Sequence, residues 1–104
     1  MRREVFLIFK ESLNNVIRHS RCTEAVIELV LESDYLQLTV SDNGEGFDPS
    51  RESEGHGLLS MSERAEGIQG EFRICSAPGK GTSTTLRAPL EQAAPLSEST
   101  SFTN

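Results

Sequence analysis

The 104-residue chain lacks any apolar run long enough to cross a bilayer. The longest, EVFLIF from Glu4 to Phe9, is far short of the roughly 20 residues that a spanning helix needs. No small-residue cleavage site follows it, which argues against a secretory leader, so a cytoplasmic location is expected. Also missing is the cysteine spacing of a metal site. Cys22 and Cys75 stand alone, without a Cys-x-x-Cys or Cys/His pattern, and are expected as reduced core thiols. Positive charge is scarce and scattered: ten Lys+Arg face sixteen Asp+Glu, a formal net charge of -6. That balance disfavours a phosphate-neutralising surface for nucleic acid, and an anionic small ligand would need a local site. No segment repeats, and the length allows one domain.

What is present is a change of periodicity along the chain. From about Arg2 to Ser20 there is no Gly or Pro, and Val5, Phe9, Leu13, Val16 and Ile17 recur at helical intervals, which predicts an amphipathic helix with one core face. AVIELVLE and YLQLTVSD then alternate around Ser33-Asp34, the pattern of a β-hairpin in which Ile27, Leu29 and Leu31 share a face with Leu36, Leu38 and Val40. DPSRESEGHG reads as a mobile loop, and LLSMSERAE as a second helix stopped by Gly67. GEFRICS and TSTTLRAP predict a second strand pair across APGKG. The tail from residue 91 to 104 is Ser/Thr-rich and is expected to be disordered. This order implies an α+β two-layer sandwich, with helices on one face of a mixed or antiparallel sheet. A helix as the first element suggests either a fragment of a longer protein or a short natural module.

Four short stretches carry candidate chemistry. On the first helix, at about 100° per residue, Glu11, Asn15 and Arg18 fall within an arc of roughly 60°. Such a stripe is commonly no more than a solvated face. Asn is a middling helix former, however, and an amide between a carboxylate and a guanidinium suits Mg²⁺ bridging to phosphate. In VSDNGEGFD, Asp42 ends an apolar strand, where its carboxylate favours a partner with N–H donors, such as a heterocycle bearing an amine. A strand exit with an Asn-Gly turn explains DNG, but leaves Gly46 unexplained. Without a Cβ, Gly44 and Gly46 would let a flat ring lie against main chain. Gly55 and Gly57 directly precede the second helix, whose exposed N–H groups would favour an anion. GKGTST places Lys80 and Thr82 in a tight turn that, alone, is a plain hairpin loop.

Together and in this order, the four resemble the nucleotide-binding domain of sensor histidine kinases in the GHKL ATPase superfamily, the Bergerat fold. FKESLNNVIRHS looks like the N box, DNGEGF like the first glycine box, GHGLLSMSERA like the second, and GKGTSTTLRAPL like the closing segment. The ending of the N box and the GLxxMxERA pattern are most similar to the NarL/LiaS/DesK type. The resemblance covers about Phe9 to Pro89 and implies an ATP-binding kinase domain over residues 1–90, N-terminally truncated, with ATP and Mg²⁺ as its cofactors.

By resemblance, Asn15 is a Mg²⁺ ligand with Glu11 beside it, and Glu11 is also a candidate base. Arg18 and His19 are implied to contact phosphates or ribose, and Asp42 to accept from the adenine amino group, directly and through water. Gly44, Gly46, Gly55, His56, Gly57 and Leu58 are implied to hinge the lid and admit the nucleotide, with Thr82 on the adenine side. Arg64 lies on the second-box helix without an assigned role. The family's autokinases carry a two-helix dimerisation segment with a phosphoacceptor His, and the only histidines here are His19 and His56. The resemblance therefore implies transfer of the γ-phosphoryl group to a histidine on a separate dimerisation segment, then to a response regulator. It further implies a monomeric isolated domain, inactive alone in autophosphorylation, and a homodimeric full-length kinase. A stand-alone serine kinase of the anti-sigma-factor kind and a nucleotide-binding regulatory module are the alternatives.

Overall fold

A computed structural model describes residues 3–51 and 57–90. Gly55, His56 and the expected tail over 91–104 lie outside the described residues. The chain forms α1 (Arg3–Asn15), a π-helical turn (Val16–Ser20), β1 (Ala25–Leu31), β2 (Tyr35–Asp42), a single 3₁₀ turn (Pro49–Arg51), α2 (Leu58–Gly67), β3 (Glu71–Ser76) and β4 (Thr82–Pro89). No helix among the described residues is long and apolar enough to cross a membrane.

Val5, Ile8 and Ser12 form the buried stripe of α1. The apolar periodicity predicts a stripe through Val5, Phe9, Leu13, Val16 and Ile17; Val5 lies in the core and Phe9 packs against it, but Ile17 is 78% exposed. The reason is the π-helical turn that takes over after Asn15. Its wider winding advances each residue by less than an α-helix does. Ile17 therefore swings toward solvent while Ser20 is carried into the interior, and the turn ends at Arg21 with a left-handed φ of 54°. At the end of α2, Gly70 N–H donates to the Ala65 carbonyl at 2.7 Å, satisfying a terminal carbonyl that the helix cannot.

The strands form a four-stranded sheet in the order β1-β2-β4-β3, and every pairing in it is antiparallel. Helices lie on one face, giving the α+β two-layer sandwich. The core between the layers contains Val5, Ile8, Leu36, Leu38, Met61, Ala65, Ile68, Leu86 and Ala88. Ile27, Leu29 and Leu31 do share a face with Val40, Leu38 and Leu36, being their register partners. They are nevertheless 49%, 49% and 62% exposed, because α1 packs on β2 and β4 and α2 on β3, leaving edge strand β1 beyond their cover. Neither cysteine is a core thiol. Cys75 is exposed, since β3 turns Phe72 and Ile74 inward and the alternate residues outward, and Cys22 is half-buried after the π turn; both are free.

Candidate functional site

The loop after β2 is held from both sides. The Asp42 carboxylate accepts from Gly44 N–H at 2.8 Å, closing a turn on itself. The Asn43 side-chain oxygen accepts from Thr23 N–H and Glu24 N–H, both at 3.0 Å, and its amide nitrogen donates to the Thr23 hydroxyl at 3.0 Å. These bonds anchor the loop to the segment between the π turn and β1. Glu45 N–H donates to the Ser20 carbonyl at 2.7 Å, and Gly79 N–H donates to the Glu45 carbonyl at 2.5 Å. Phe47 N–H donates to the Ser76 hydroxyl at 2.9 Å, which makes the loop continuous with the β3–β4 turn.

This arrangement accounts for the two glycines of DNGEG. A Cβ on Gly44 would stand 2.0 Å from the Ser20 hydroxyl oxygen, and one on Gly46 2.1 Å from the Ala77 carbonyl oxygen. The main chain that needs them bare is the protein's own. Gly46 has in addition a φ of +67°, in the left-handed region that favours glycine.

The loop, the π turn and the strand ends enclose a cleft. From the helical side it is lined by Ser12, Asn15, Val16, His19 and Ser20, from β2 and its loop by Val40, Asp42, Gly46 and Phe47, and from β3 and β4 by Ile74, Thr82 and Thr84. The lining combines the apolar side chains of Val16, Val40, Phe47 and Ile74 with several polar groups, the usual character of a small-molecule site. The Thr84 hydroxyl donates to the Ser12 hydroxyl at 3.5 Å, and Ser12 in turn donates to the Met61 sulfur at 3.6 Å, which ties β4, α1 and α2 together beneath it. About 20 Å³ of the cleft is open to the centre of a water molecule, room for about one water.

A model of the family described as histidine kinase-, DNA gyrase B-, and HSP90-like ATPase matches residues 2–92. The chain belongs to this ATPase family. Sensor protein VraS of Staphylococcus haemolyticus (strain JCSC1435) and of Staphylococcus aureus (strain COL) are each 40% identical to it over 89 residues, 85% of this chain and 26% of theirs. The chain thus spans about a quarter of the length of these relatives. In fold it is similar to the histidine kinase domain of the Erythrobacter litoralis EL346 blue-light activated histidine kinase, with a TM-score of 0.66 at 23% identity over 86% of this chain and 44% of that one. A second structure of that kinase gives 0.68 at 24% identity over 89% and 31%.

Of the residues predicted from the ATPase motifs, the cleft brings together Asn15, His19, Asp42, Gly46 and Thr82. Glu11, one turn before Asn15, instead lines a groove of about 290 Å³ between the helices, with Leu7, Lys10, Asn14, Gly57, Ser60, Met61 and Arg64. There a Cβ on Gly57 would meet the Glu11 carboxylate at 3.0 Å. Arg18 is exposed on the π turn and lines neither space, Gly44 backs the cleft through Ser20, and Leu58 opens α2.

Sequence reasoning missed Ser12, Val16, Ser20, Val40, Phe47, Ile74 and Thr84 as cleft residues. Signals existed for three of them: Ser12 lies one turn before Asn15, Thr84 lies two residues after Thr82 on the same strand face, and Ile74 is its register partner. Ser20 reaches the cleft only because of the π turn, which leaves no mark in the apolar pattern.

Proposed function

We propose that the cleft binds ATP and Mg²⁺ and that the chain is the catalytic, ATP-binding part of a sensor histidine kinase. The γ-phosphoryl group would pass to a histidine on a separate dimerisation segment and then to a response regulator. Membership of an ATPase family supports ATP as the ligand, and the sensor relatives support the signalling role. The single observation that carries the reading is Asp42. Asp42 lines the cleft, and its carboxylate has a hydrogen bond from Gly44 N–H and among the described residues receives no other. A half-buried carboxylate with acceptor capacity to spare matches the exocyclic amine of adenine.

Metal chemistry fits the residues in a limited way. No group of three or more His, Cys, Asp or Glu among the described residues could cage an ion. Mg²⁺ characteristically takes one or two protein ligands and fills its shell with phosphate and water oxygens; the Asn15 amide in the cleft would be one such ligand, with the Glu11 carboxylate, one turn away on α1 and lining the neighbouring groove, as the other. When bound, the ion would neutralise phosphate charge and hold the chain of phosphates in line. The protein's own part is positioning: Asp42 and Thr82 at the base, Asn15 and His19 along the cleft, and the N–H groups opening α2 beside Gly57 toward the phosphates. Glu11, against Gly57, would act on the phosphate side, as a ligand or as a base toward water. In the whole kinase, a homodimer, this unit would be a cytoplasmic portion; alone it would be monomeric and silent in autophosphorylation.

Calorimetric titration of ATP and ADP into wild type and Asp42→Ala, with folding checked by circular dichroism, tests the reading. It expects binding that Asp42→Ala removes for both nucleotides. Well-folded wild type that binds neither would refute it.

A further inference from the structure

Ser76 does not line the cleft, yet two residues that do are bound to its hydroxyl. The Ser76 oxygen accepts Phe47 N–H at 2.9 Å, lies 3.0 Å from the Gly81 carbonyl oxygen and 2.8 Å from the Thr82 hydroxyl. Phe47 belongs to the loop after β2 and Thr82 opens β4, so one oxygen at the end of β3 holds cleft wall from two other strands. A hydroxyl has one proton and two lone pairs, and these contacts use all three in a single way. The Phe47 amide can only donate and the Gly81 carbonyl can only accept, which assigns the Ser76 proton to Gly81. The remaining contact is then made by the Thr82 proton, donated into the second lone pair of Ser76. With its proton committed there, the Thr82 hydroxyl can offer a molecule in the cleft only acceptance.

From this node we infer that Ser76 is a positioning residue for the nucleotide cleft: its hydroxyl fixes the Phe47 main chain and commits the Thr82 proton, so that Thr82 meets a bound molecule as a hydrogen-bond acceptor. This rests on the ATP-binding reading given above. A serine needed only to close the β3–β4 turn would bond the Gly81 carbonyl and stop there. Reaching Phe47 and Thr82 as well gives the same oxygen a hold on the cleft. The turn itself has little freedom to find other partners, because Gly81 has a φ of +76° and a Cβ on it would strike the Asp42 carbonyl. Without the Ser76 hydroxyl, Phe47 N–H and the Gly81 carbonyl each lose this partner, and the Thr82 proton is released toward whatever occupies the cleft.

The test is a double-mutant cycle. ATP is titrated calorimetrically into wild type, Ser76→Ala, Ser76→Thr, Thr82→Val and the variant combining Ser76→Ala with Thr82→Val, each checked for folding by circular dichroism. Ser76→Ala is expected to weaken ATP about three- to tenfold, the worth of one neutral hydrogen bond. Ser76→Thr keeps the hydroxyl and is expected to restore wild-type affinity. In the Thr82→Val background the loss from Ser76→Ala should shrink, because part of it runs through Thr82. Folded Ser76→Ala with wild-type affinity would mean that the hydroxyl serves the hairpin alone, and would overturn the proposal. So would a Ser76→Thr variant as weak as Ser76→Ala, or a loss undiminished beside Thr82→Val. If Ser76→Ala does not fold, Ser76→Cys in reducing buffer replaces it throughout, since a thiol fills the space but hydrogen-bonds only weakly. Wild type that binds ATP while Ser76→Ala matches it removes the Ser76 assignment alone; wild type that binds no ATP removes the ATP reading and this one with it.

Discussion

Gly46 and the Ala77 carbonyl meet where no side chain fits: a Cβ on Gly46 would stand 2.1 Å from the Ala77 oxygen, and the Gly46 φ of +67° is one that other residues resist. The β2 exit loop and the β3–β4 turn are therefore joined main chain to main chain. Gly79, in the same turn, has a φ of +80° with nothing within 4 Å of its would-be Cβ. The pair separates conformational strain from steric clash. Gly79→Ala is expected to cost about 1 kcal/mol, the lower end for a non-glycine residue in the left-handed region. Gly46→Ala adds the clash and is expected to cost at least about 3 kcal/mol. Urea denaturation of both variants would measure the difference.

Asn43 is the other clamp on this loop, with its side chain bound to Thr23 and Glu24 at three points, each 3.0 Å long. These groups are exposed, so water replaces the lost partners in Asn43→Ala and the expected cost is about 1 kcal/mol. The more specific expectation concerns exchange. The Thr23 and Glu24 amides should lose hydrogen-exchange protection while those of β4 keep theirs, which distinguishes a local anchor from a global one.

How far the molecule can be read from its residues follows from the range of the forces involved. The order helix, hairpin, loop, helix, hairpin is legible because Gly- and Pro-free stretches and alternating runs act locally. The exposure of Ile27, Leu29 and Leu31 is not, because alternation specifies a face and not what covers it. The burial of Ser12 and Ser20 escapes notice because apolar periodicity marks carbon, and the π turn shifts the helical phase where no apolar residue records it. For the candidate site, motif order picks out Asn15, His19, Asp42, Gly46 and Thr82, and the fold places these five along one cleft. The tight packing of Gly44 and Gly46 is a three-dimensional fact: the sequence signals that something comes close, and only the fold shows that it is Ser20 and Ala77.

Asn15 lines the cleft at the junction of α1 and the π turn. If its amide oxygen supports Mg²⁺, Asn15→Ala should weaken ATP in the presence of Mg²⁺ on the order of tenfold, the contribution of about 1.4 kcal/mol. It should leave ATP affinity in chelator nearly unchanged. Calorimetry at matched ionic strength, with and without Mg²⁺, checks this. A variant that loses the same factor in both conditions would assign Asn15 to the phosphates or to the cleft wall.

Leu29 and Leu38 are directly opposite partners on one sheet face, yet Leu38 is 7% exposed and Leu29 49%. Truncation of Leu38 empties a packed site, whereas truncation of Leu29 removes carbon that water already touches. Leu38→Ala is accordingly expected to cost about 2–4 kcal/mol, and Leu29→Ala about 1 kcal/mol or less. Chemical denaturation of the two variants tests whether the helical layer stops where the fold indicates. Equal losses would mean that β1 is covered in solution, and dependence of the Leu29→Ala loss on protein concentration would then identify the cover as a second copy of the chain.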